Sequence, residues 1–205
     1  SIKDNSATTF AAVPSSLTKL VKDESDRIKD IFKDLRLIVT NSTSIPNTTV
    51  KELKKILQHG TIATYYGLTE ASRSTFMVFD GESKFDSVGK APDQIEIKIN
   101  NEKDSEKGEI WIKGQNVIKN YWNNLDADQN FVNGWLKTGD LGRLDEDGYL
   151  YILGRMDEII NIAGEKVLPQ EIEGVVKVLS DIEEVVAIPM KHESFGNTVK
   201  LFVKT

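Results

Sequence analysis

The sequence predicts an α/β segment that runs into antiparallel β-structure and then into a small α+β segment. Three observations carry this prediction. A short apolar run, Leu35 to Val39, and a second β-rich run, Ile62 to Tyr66, flank a helical stretch and outline a βαβ unit. Isoleucines then alternate with polar residues at Ile95, Ile97 and Ile99 and again at Ile110 and Ile112, the period of strands in an antiparallel sheet. Last, an amphipathic helix begins at Pro169 and is followed by β-rich runs over residues 182–190 and 198–203.

The polar opening SIKDNSATTF leads to Val13-Pro14-Ser15-Ser16, behind which Leu17, Leu20 and Val21 recur at helical spacing. Across the charged link KDESDR, the residues Ile28, Ile31, Phe32 and Leu35 form the face of a second helix. The run 35–39 reads as a buried strand ending in the polar loop Thr40-Asn41-Ser42-Thr43-Ser44. Thr49 and Glu52 make a candidate capping box for a third helix, whose face is Val50, Leu53, Ile56 and Leu57. Units of this kind bind ligands outside the carboxyl ends of their strands, so the loops at 41–44 and 66–70 are expected to open onto one crevice.

Residues 79–92 are rich in Gly, Asp and Ser and read as an exposed loop, and NNEKDSEKG reads as a solvated turn between strands. Aromatics in Val117 to Trp122 and in Gly134-Trp135-Leu136 are expected to pack on the sheet. Asp147-Gly148, followed by Tyr149, Tyr151 and Leu153 alternating with Leu150, Ile152 and Gly154, signals a tight hairpin. The acidic run Asp145 to Gly148 is no calcium loop, since an EF-hand needs its Gly at the sixth position and a Glu at the twelfth. In the last helix Ile172, Val175, Val176 and Leu179 make the apolar stripe.

Hydrophobic content of 39% and charged content of 28% are those of a globular domain, and 205 residues can bury a sizeable core. A net charge of -6 with mixed signs offers no polybasic footprint, which argues against nucleic acid as a partner. No apolar run approaches the roughly 18 residues of a membrane span. With no cysteine there is neither a disulfide framework nor a thiolate zinc site, and a cytoplasmic location is expected. His59 and His192 have no ligand partners at metal spacing.

The chemistry concentrates around the hairpin. Thr138-Gly139-Asp140 is expected at the end of the strand entering it and Gly154-Arg155-Met156-Asp157 at the end of the strand leaving it, so that one carboxylate and one guanidinium face the same ligand. A carboxylate accepts two hydrogen bonds from a vicinal diol such as a ribose, and a guanidinium donates a planar fork to hydroxyls or phosphate. The competing reading is a partly exposed ion pair worth under about 1 kcal/mol. Tyr66 to Glu70 reads as a strand end followed by a capped helix, with Thr69 and Glu70 in its first turn, where a phosphate would also be favoured.

These stretches resemble the acyl-adenylate-forming superfamily of acyl- and aryl-CoA synthetases, luciferases and the adenylation domains of peptide synthetases. The resemblance rests on five ordered motifs: YYGLTE at residues 65–70, GEIWIKGQNVIKNYW at 108–122, TGD at 138–140, GRMD at 154–157 and GEKVLPQEIE at 164–173. It implies that residues 1–156 are the later part of the large AMP-binding domain, and that residues 157–205 begin a small mobile domain hinged at Asp157. It further implies that Tyr66 stacks on adenine, that Gly67 lets backbone approach the nucleotide, that Thr69 bonds the α-phosphate and that Glu70 holds Mg²⁺. Asp140 and Arg155 would bind the nucleotide as well. The loop Ser42-Thr43-Ser44 would lie on the substrate side, though relatives are commonly Gly-rich there, and Gly164 would let backbone approach the pantetheine arm of coenzyme A. Asn161 departs from the lysine that many relatives carry, while Lys166 fits the motif as a solvent-facing residue.

The activity so implied is ATP- and Mg²⁺-dependent activation of a carboxylic acid as acyl-AMP, with transfer to coenzyme A, as in fatty-acid metabolism. YGLTE favours CoA synthetases over amino-acid-activating domains, where YGPTE is frequent. The family's Ser/Thr/Gly-rich phosphate loop and its catalytic lysine are not among these residues. The chain therefore reads as an internal part of a larger synthetase, inactive by itself. Two alternatives stand beside this reading: an adenylation domain that loads a carrier protein, and a non-catalytic adenine-nucleotide-binding or interaction module on the same fold.

Overall fold

Apolar runs with strand period meet amphipathic helices first in a four-stranded sheet. In the computed structural model, which describes residues 6–22, 26–41, 45–57, 59–81, 84–101, 106–123 and 129–205, β1 (Thr9–Ala11), β2 (Leu37–Thr40) and β3 (Thr61–Tyr66) run parallel. β4 (Thr75–Val78) returns antiparallel to β3. The helices α1 (Pro14–Lys22), α2 (Asp26–Phe32) and α3 (Asn47–Ile56) precede and link these strands, and β2-α3-β3 is the expected βαβ unit. Its core joins Leu17, Phe32, Ile38, Val50, Leu53 and Ile62, each at most 1% exposed. Burying side chains of this size stabilises by about 1.5–3 kcal/mol apiece before the entropy of ordering them is counted.

A second sheet has the order β5 (Ile95–Asn100), β6 (Gly108–Gly114), β8 (Trp135–Leu144), β7 (Phe131–Val132), with β9 (Leu150–Arg155) pairing to β8. The remaining elements are the short hairpin β10 (Ile160–Ile162) and β11 (Glu165–Val167), then α4 (Pro169–Val176), then the long antiparallel ribbon β12 (Glu184–His192) and β13 (Gly196–Lys204). Pro169 takes the first helical position, where its missing N–H costs nothing. The chain divides into two compact units. The first is Ser1–Lys98, Ile112–Leu136 and Leu144–Tyr151; the second is Ile99–Trp111, Lys137–Arg143 and Ile152–Thr205.

Several local expectations are corrected. The Thr49–Glu52 capping box does not form, because α3 starts three residues earlier, with Pro46 at its N-cap, and Thr49 turns inward to bond the Thr18 hydroxyl at 3.0 Å. Glu52 pairs instead with Lys55. α2 ends before Leu35, which is buried beyond the helix. No helix follows Tyr66 to Glu70, since the chain turns directly into β4. Trp122, expected on the sheet, is 91% exposed, and so are most of the side chains at Val175 and Leu179 on the predicted stripe of α4. The segment 79–92 is only partly a surface loop, with Phe79 and Ser87 buried. The strands β1 and β4 went unpredicted because β1 has only three residues and because β4, whose burial does alternate, carries the apolar Phe76 and Val78 on its exposed face and so shows no apolar–polar alternation in sequence.

The hairpin between β8 and β9 is present, with a longer turn than the two residues Asp147-Gly148 predict. Gly148 N–H donates to Asp145 O at 2.9 Å and Asp145 N–H to Tyr149 O at 3.0 Å, with Gly148 at φ +80°. This is a type I turn closed by a glycine bulge. The Asp145 carboxylate organises it, accepting the N–H groups of Asp147 and Tyr149, the Tyr151 hydroxyl and the Lys84 ammonium. The Lys84 hydrogen bond is the main reason the Asp145 carboxyl sits at about 2 rather than 3.8. A depressed carboxyl contributes stability above its unfolded value and loses it as pH falls through its folded one. The stability advantage of the wild type over Asp145→Asn should therefore shrink between about pH 4 and pH 2, as read from denaturant midpoints. Lys84, held above the ordinary lysine range by Asp145 and Asp147, acts in the opposite sense and loses its contribution only in strong alkali.

Candidate functional site

In the first unit, β3 delivers Tyr66 to the carboxyl end of the parallel strands, half-buried, and the chain then folds tightly back on itself. Leu68 and Ala71 exchange backbone hydrogen bonds at 3.0 and 3.2 Å, and Ser74 N–H closes the loop on Tyr66 O at 2.7 Å. A Cβ on Gly67 would lie 2.4 Å from Arg73 N and 2.8 Å from Ala71 O, so the loop's own backbone demands glycine here. Thr69 is exposed at the tip of the loop and Glu70 is half-buried. The Glu70 carbonyl accepts Ile118 N–H at 2.8 Å, and its Oε1 accepts the Tyr121 hydroxyl at 2.7 Å. Tyr65 is half-buried, its hydroxyl accepting from Asn41 Nδ2 at 2.7 Å and its ring facing Arg73. At the end of β2 the Thr40 hydroxyl is buried with no hydrogen-bond partner among the described residues, a polar atom left at the carboxyl edge of the sheet. Ser42, Thr43 and Ser44 lie outside the described residues.

In the second unit, Thr138-Gly139-Asp140 sits within β8 rather than at its end. Gly139 adopts φ +71° there, and the strand continues past it to Leu144. Thr138 Oγ1 donates to Ile110 O at 2.7 Å and accepts Asp140 N–H at 3.0 Å, while Gly139 N–H donates to Glu109 Oε1 at 3.1 Å. These bonds hold the Asp140 backbone, and its side chain is buried. Arg155, the last residue of β9, lays its guanidinium over Gly139 and donates from Nη1 to Thr138 O at 3.1 Å and to Asp140 Oδ1 at 3.0 Å. Its Nε donates to Asp157 Oδ1 at 3.2 Å. The pairing raises the Arg155 value through Asp157 first and Asp140 second, and it lowers that of Asp157. The ion pair and the shared placement of carboxylate and guanidinium are thus both present.

Asp157 follows in an exposed turn. Gly164, at φ +96° beside Ala163 at φ +51°, forms the two-residue turn between β10 and β11. Asn161 caps that turn, its Oδ1 accepting Gly164 N–H at 2.9 Å and its carbonyl accepting from Asn197 Nδ2 at 3.0 Å. Lys166 is exposed, and His192 accepts two backbone N–H groups of its own turn. Within the second unit, then, Asp140, Arg155 and Asp157 come together; within the first, Tyr66 to Glu70 meet Tyr121. Glu109 and Tyr121 were missed from sequence, because each meets its partner through a strand or loop some thirty to fifty positions away.

Comparison with known proteins places this geometry. The profile of the AMP-binding enzyme family matches residues 1–122. Oxalate–CoA ligase of Arabidopsis thaliana is 33% identical over 98% of this chain, and indoleacetate–CoA ligase of Aromatoleum aromaticum is 31% identical over 97%. The structure of o-succinylbenzoate coenzyme A synthetase from Bacillus subtilis, in complex with ATP and magnesium ion, superposes with a TM-score of 0.81 at 29% identity over 99% of this chain and 44% of that one. The chain spans about 40% of the length of the curated relatives it matches, 41% of the first and 40% of the second. With a family profile that covers residues 1–122 of 205 and a relative 33% identical over 98% of the chain, the chain belongs to the AMP-binding enzyme family.

Proposed function

We propose that the protein carrying this chain is an AMP-forming acid–thiol ligase that activates a carboxylic acid with ATP and transfers the acyl group to coenzyme A. The observation that carries the reading is the likeness, over nearly the whole chain, to ligases that differ in their acid and agree in their thiol: oxalate, indoleacetate and succinylbenzoate on one side, coenzyme A on the other. In the first half-reaction a carboxylate oxygen attacks the α-phosphorus and pyrophosphate leaves. In the second the thiolate sulfur attacks the acyl carbon of the mixed anhydride and AMP leaves. The substrates are a small carboxylic acid and coenzyme A, with a pantetheinyl carrier protein as the other acceptor of the same chemistry. A cytoplasmic location goes with a need for ATP and coenzyme A.

The residue roles follow. Tyr66 offers its ring to adenine and Gly67 brings backbone close. Thr69, exposed beyond the β3 edge, donates to the α-phosphate. Asp140 accepts the ribose hydroxyls while Arg155 fixes its orientation and offers further donors. The family resemblance assigns Ser42, Thr43 and Ser44 to recognition of the acid, and Gly164 admits the pantetheine arm. Magnesium takes one or two carboxylates and completes its shell with phosphate and water, a demand that Glu70, half-buried and held by Tyr121, fits as donor. When bound, the ion supplies charge neutralisation on the phosphate oxygens.

Residues 1–156 and 157–205 would be the two bodies that reorient between half-reactions, with Asp157 as hinge. Fixing φ near -65° at an exposed turn residue constrains rotation at little cost in packing. Asp157→Pro should retain acyl-adenylate formation and lose thioester formation by at least about tenfold, some 1.4 kcal/mol in the barrier. Asp157→Ala removes the Arg155 contact without fixing the backbone and separates the two causes. Equal loss of both half-reactions by the proline variant, at unchanged thermal stability, would return Asp157 to an ordinary surface turn. The function itself is tested by acid-dependent AMP release across a panel of carboxylic acids, with and without coenzyme A. Release by none of them would sink it.

A further inference from the structure

We infer that Tyr121 is a positioning residue for Glu70, fixing the carboxylate in the orientation from which it meets the cation. The inference rests on the reading of Glu70 as the magnesium ligand and deepens it. After β6 the segment 115–123 runs alongside the loop that carries Glu70. Val117 bridges Ala71, Ile118 N–H holds the Glu70 carbonyl at 2.8 Å, and Asn116 Nδ2 donates to Ser72 O at 3.0 Å and to Ser74 Oγ at 2.9 Å. The same segment then places the Tyr121 hydroxyl 2.7 Å from Glu70 Oε1. Glu70 is therefore gripped at both ends, by its carbonyl and by its carboxylate.

A glutamate side chain has three rotatable bonds, and one without support samples several rotamers. A neutral phenol donating to one carboxylate oxygen removes that freedom before any cation arrives and leaves the negative charge in place. The direction of the bond is settled by chemistry. The Asn130 side chain also bonds the phenol oxygen, and an ionised carboxylate can only accept, so the phenolic proton points at Glu70. The ring leans on Phe131 at 6.0 Å between centroids, a contact that phenylalanine at position 121 would preserve. The hydroxyl is thus separable from the packing. Its effect should fall on the metal-dependent part of nucleotide binding alone.

The experiment compares Tyr121→Phe, Glu70→Gln and the double variant in the protein carrying this chain. Calorimetry measures AMP affinity in EDTA and the factor by which saturating Mg²⁺ tightens ATP binding over EDTA. Tyr121→Phe is expected to cut that factor by about five- to tenfold while AMP affinity in EDTA moves less than about twofold, a loss on the scale of one ordinary hydrogen bond. Glu70→Gln should cut it at least as far, and the double variant no further than Glu70→Gln alone, since the hydroxyl acts only through the carboxylate. A normal factor in Tyr121→Phe beside a reduced one in Glu70→Gln overturns the positioning role and leaves the ligand reading standing. A normal factor in Glu70→Gln overturns the ligand reading and the inference with it. An AMP affinity in EDTA that falls as far as the Mg²⁺ factor would mean that the loop has loosened as a whole, which also overturns it.

Discussion

Replacing Gly89 with alanine should destabilise the protein by about 4 kcal/mol or more, at the extreme of single-substitution effects. The segment around it is wedged between two strands. Phe76 and Lys90 exchange backbone hydrogen bonds at 2.9 and 3.0 Å on one side; on the other, Leu150 N–H donates to Gly89 O at 2.8 Å and Val88 N–H to Leu150 O at 2.9 Å. Ser87 Oγ and Thr75 Oγ1 add side-chain bonds to the same carbonyl rows. A Cβ on Gly89 would lie 1.8 Å from Phe76 O, 2.1 Å from Phe76 C and 2.5 Å from Met77 N, all backbone atoms that no rotamer change can move aside. The residue also sits at φ +92°, which costs an L-residue about 1–2 kcal/mol on its own. Gly148→Ala isolates that strain, because its φ is +80° and nothing lies within 4 Å of the added carbon. Urea unfolding should show Gly148→Ala losing about 1–2 kcal/mol and Gly89→Ala at least twice as much. Equal losses would mean that residues 87–90 are not held between β4 and β9 in solution.

Asp140→Ala should weaken ATP and AMP binding alike, by roughly 10- to 150-fold, since the ribose is common to both and charged hydrogen bonds contribute about 1.5–3 kcal/mol. Asp140 is 6% exposed, and Thr138 Oγ1 fixes its amide, so the carboxylate is presented by backbone rather than by a mobile loop. Truncation also leaves Arg155 with Thr138 O and Asp157 as its remaining partners. Asp140→Asn keeps the shape and discards the charge, and should recover part of the loss. Calorimetry on folded variants decides the matter: AMP affinity unchanged in Asp140→Ala refutes the ribose contact.

How much of this was legible depended on range. The βαβ frame showed through because Leu35 to Val39 is apolar but for Arg36 and Ile62 to Tyr66 is β-rich, and each strand buries one face, Ile38 and Thr40 in β2 and Ile62 and Thr64 in β3. Capping was misread because Thr49 and Glu52 have the right spacing, while only the packing of Thr49 on Thr18 reveals that the helix starts earlier. Asp147-Gly148 announced a hairpin and not its length, since the extra residue is set by the Asp145 side chain collecting donors from its own turn. Asp140 and Arg155 meet across the hairpin, although Asp140 lies within β8 and not at the strand end where the sequence put it. The grip of Tyr121 on Glu70 and the wedge at Gly89 had no local trace, for both are made by segments brought together only when the sheets form.

The Arg155 fork is fastened unevenly. Its Nη1 arm ends on a carboxylate with 9% of its side-chain surface exposed, its Nε arm on one with 73%. Mobile ions screen the outer arm far more than the inner. At about 1 M salt the screening length contracts to roughly 3 Å, close to the separation of the outer pair, while the inner pair keeps its field. Ionic strength therefore acts on this guanidinium as a selective release: it frees the Asp157 turn and leaves Asp140 aligned.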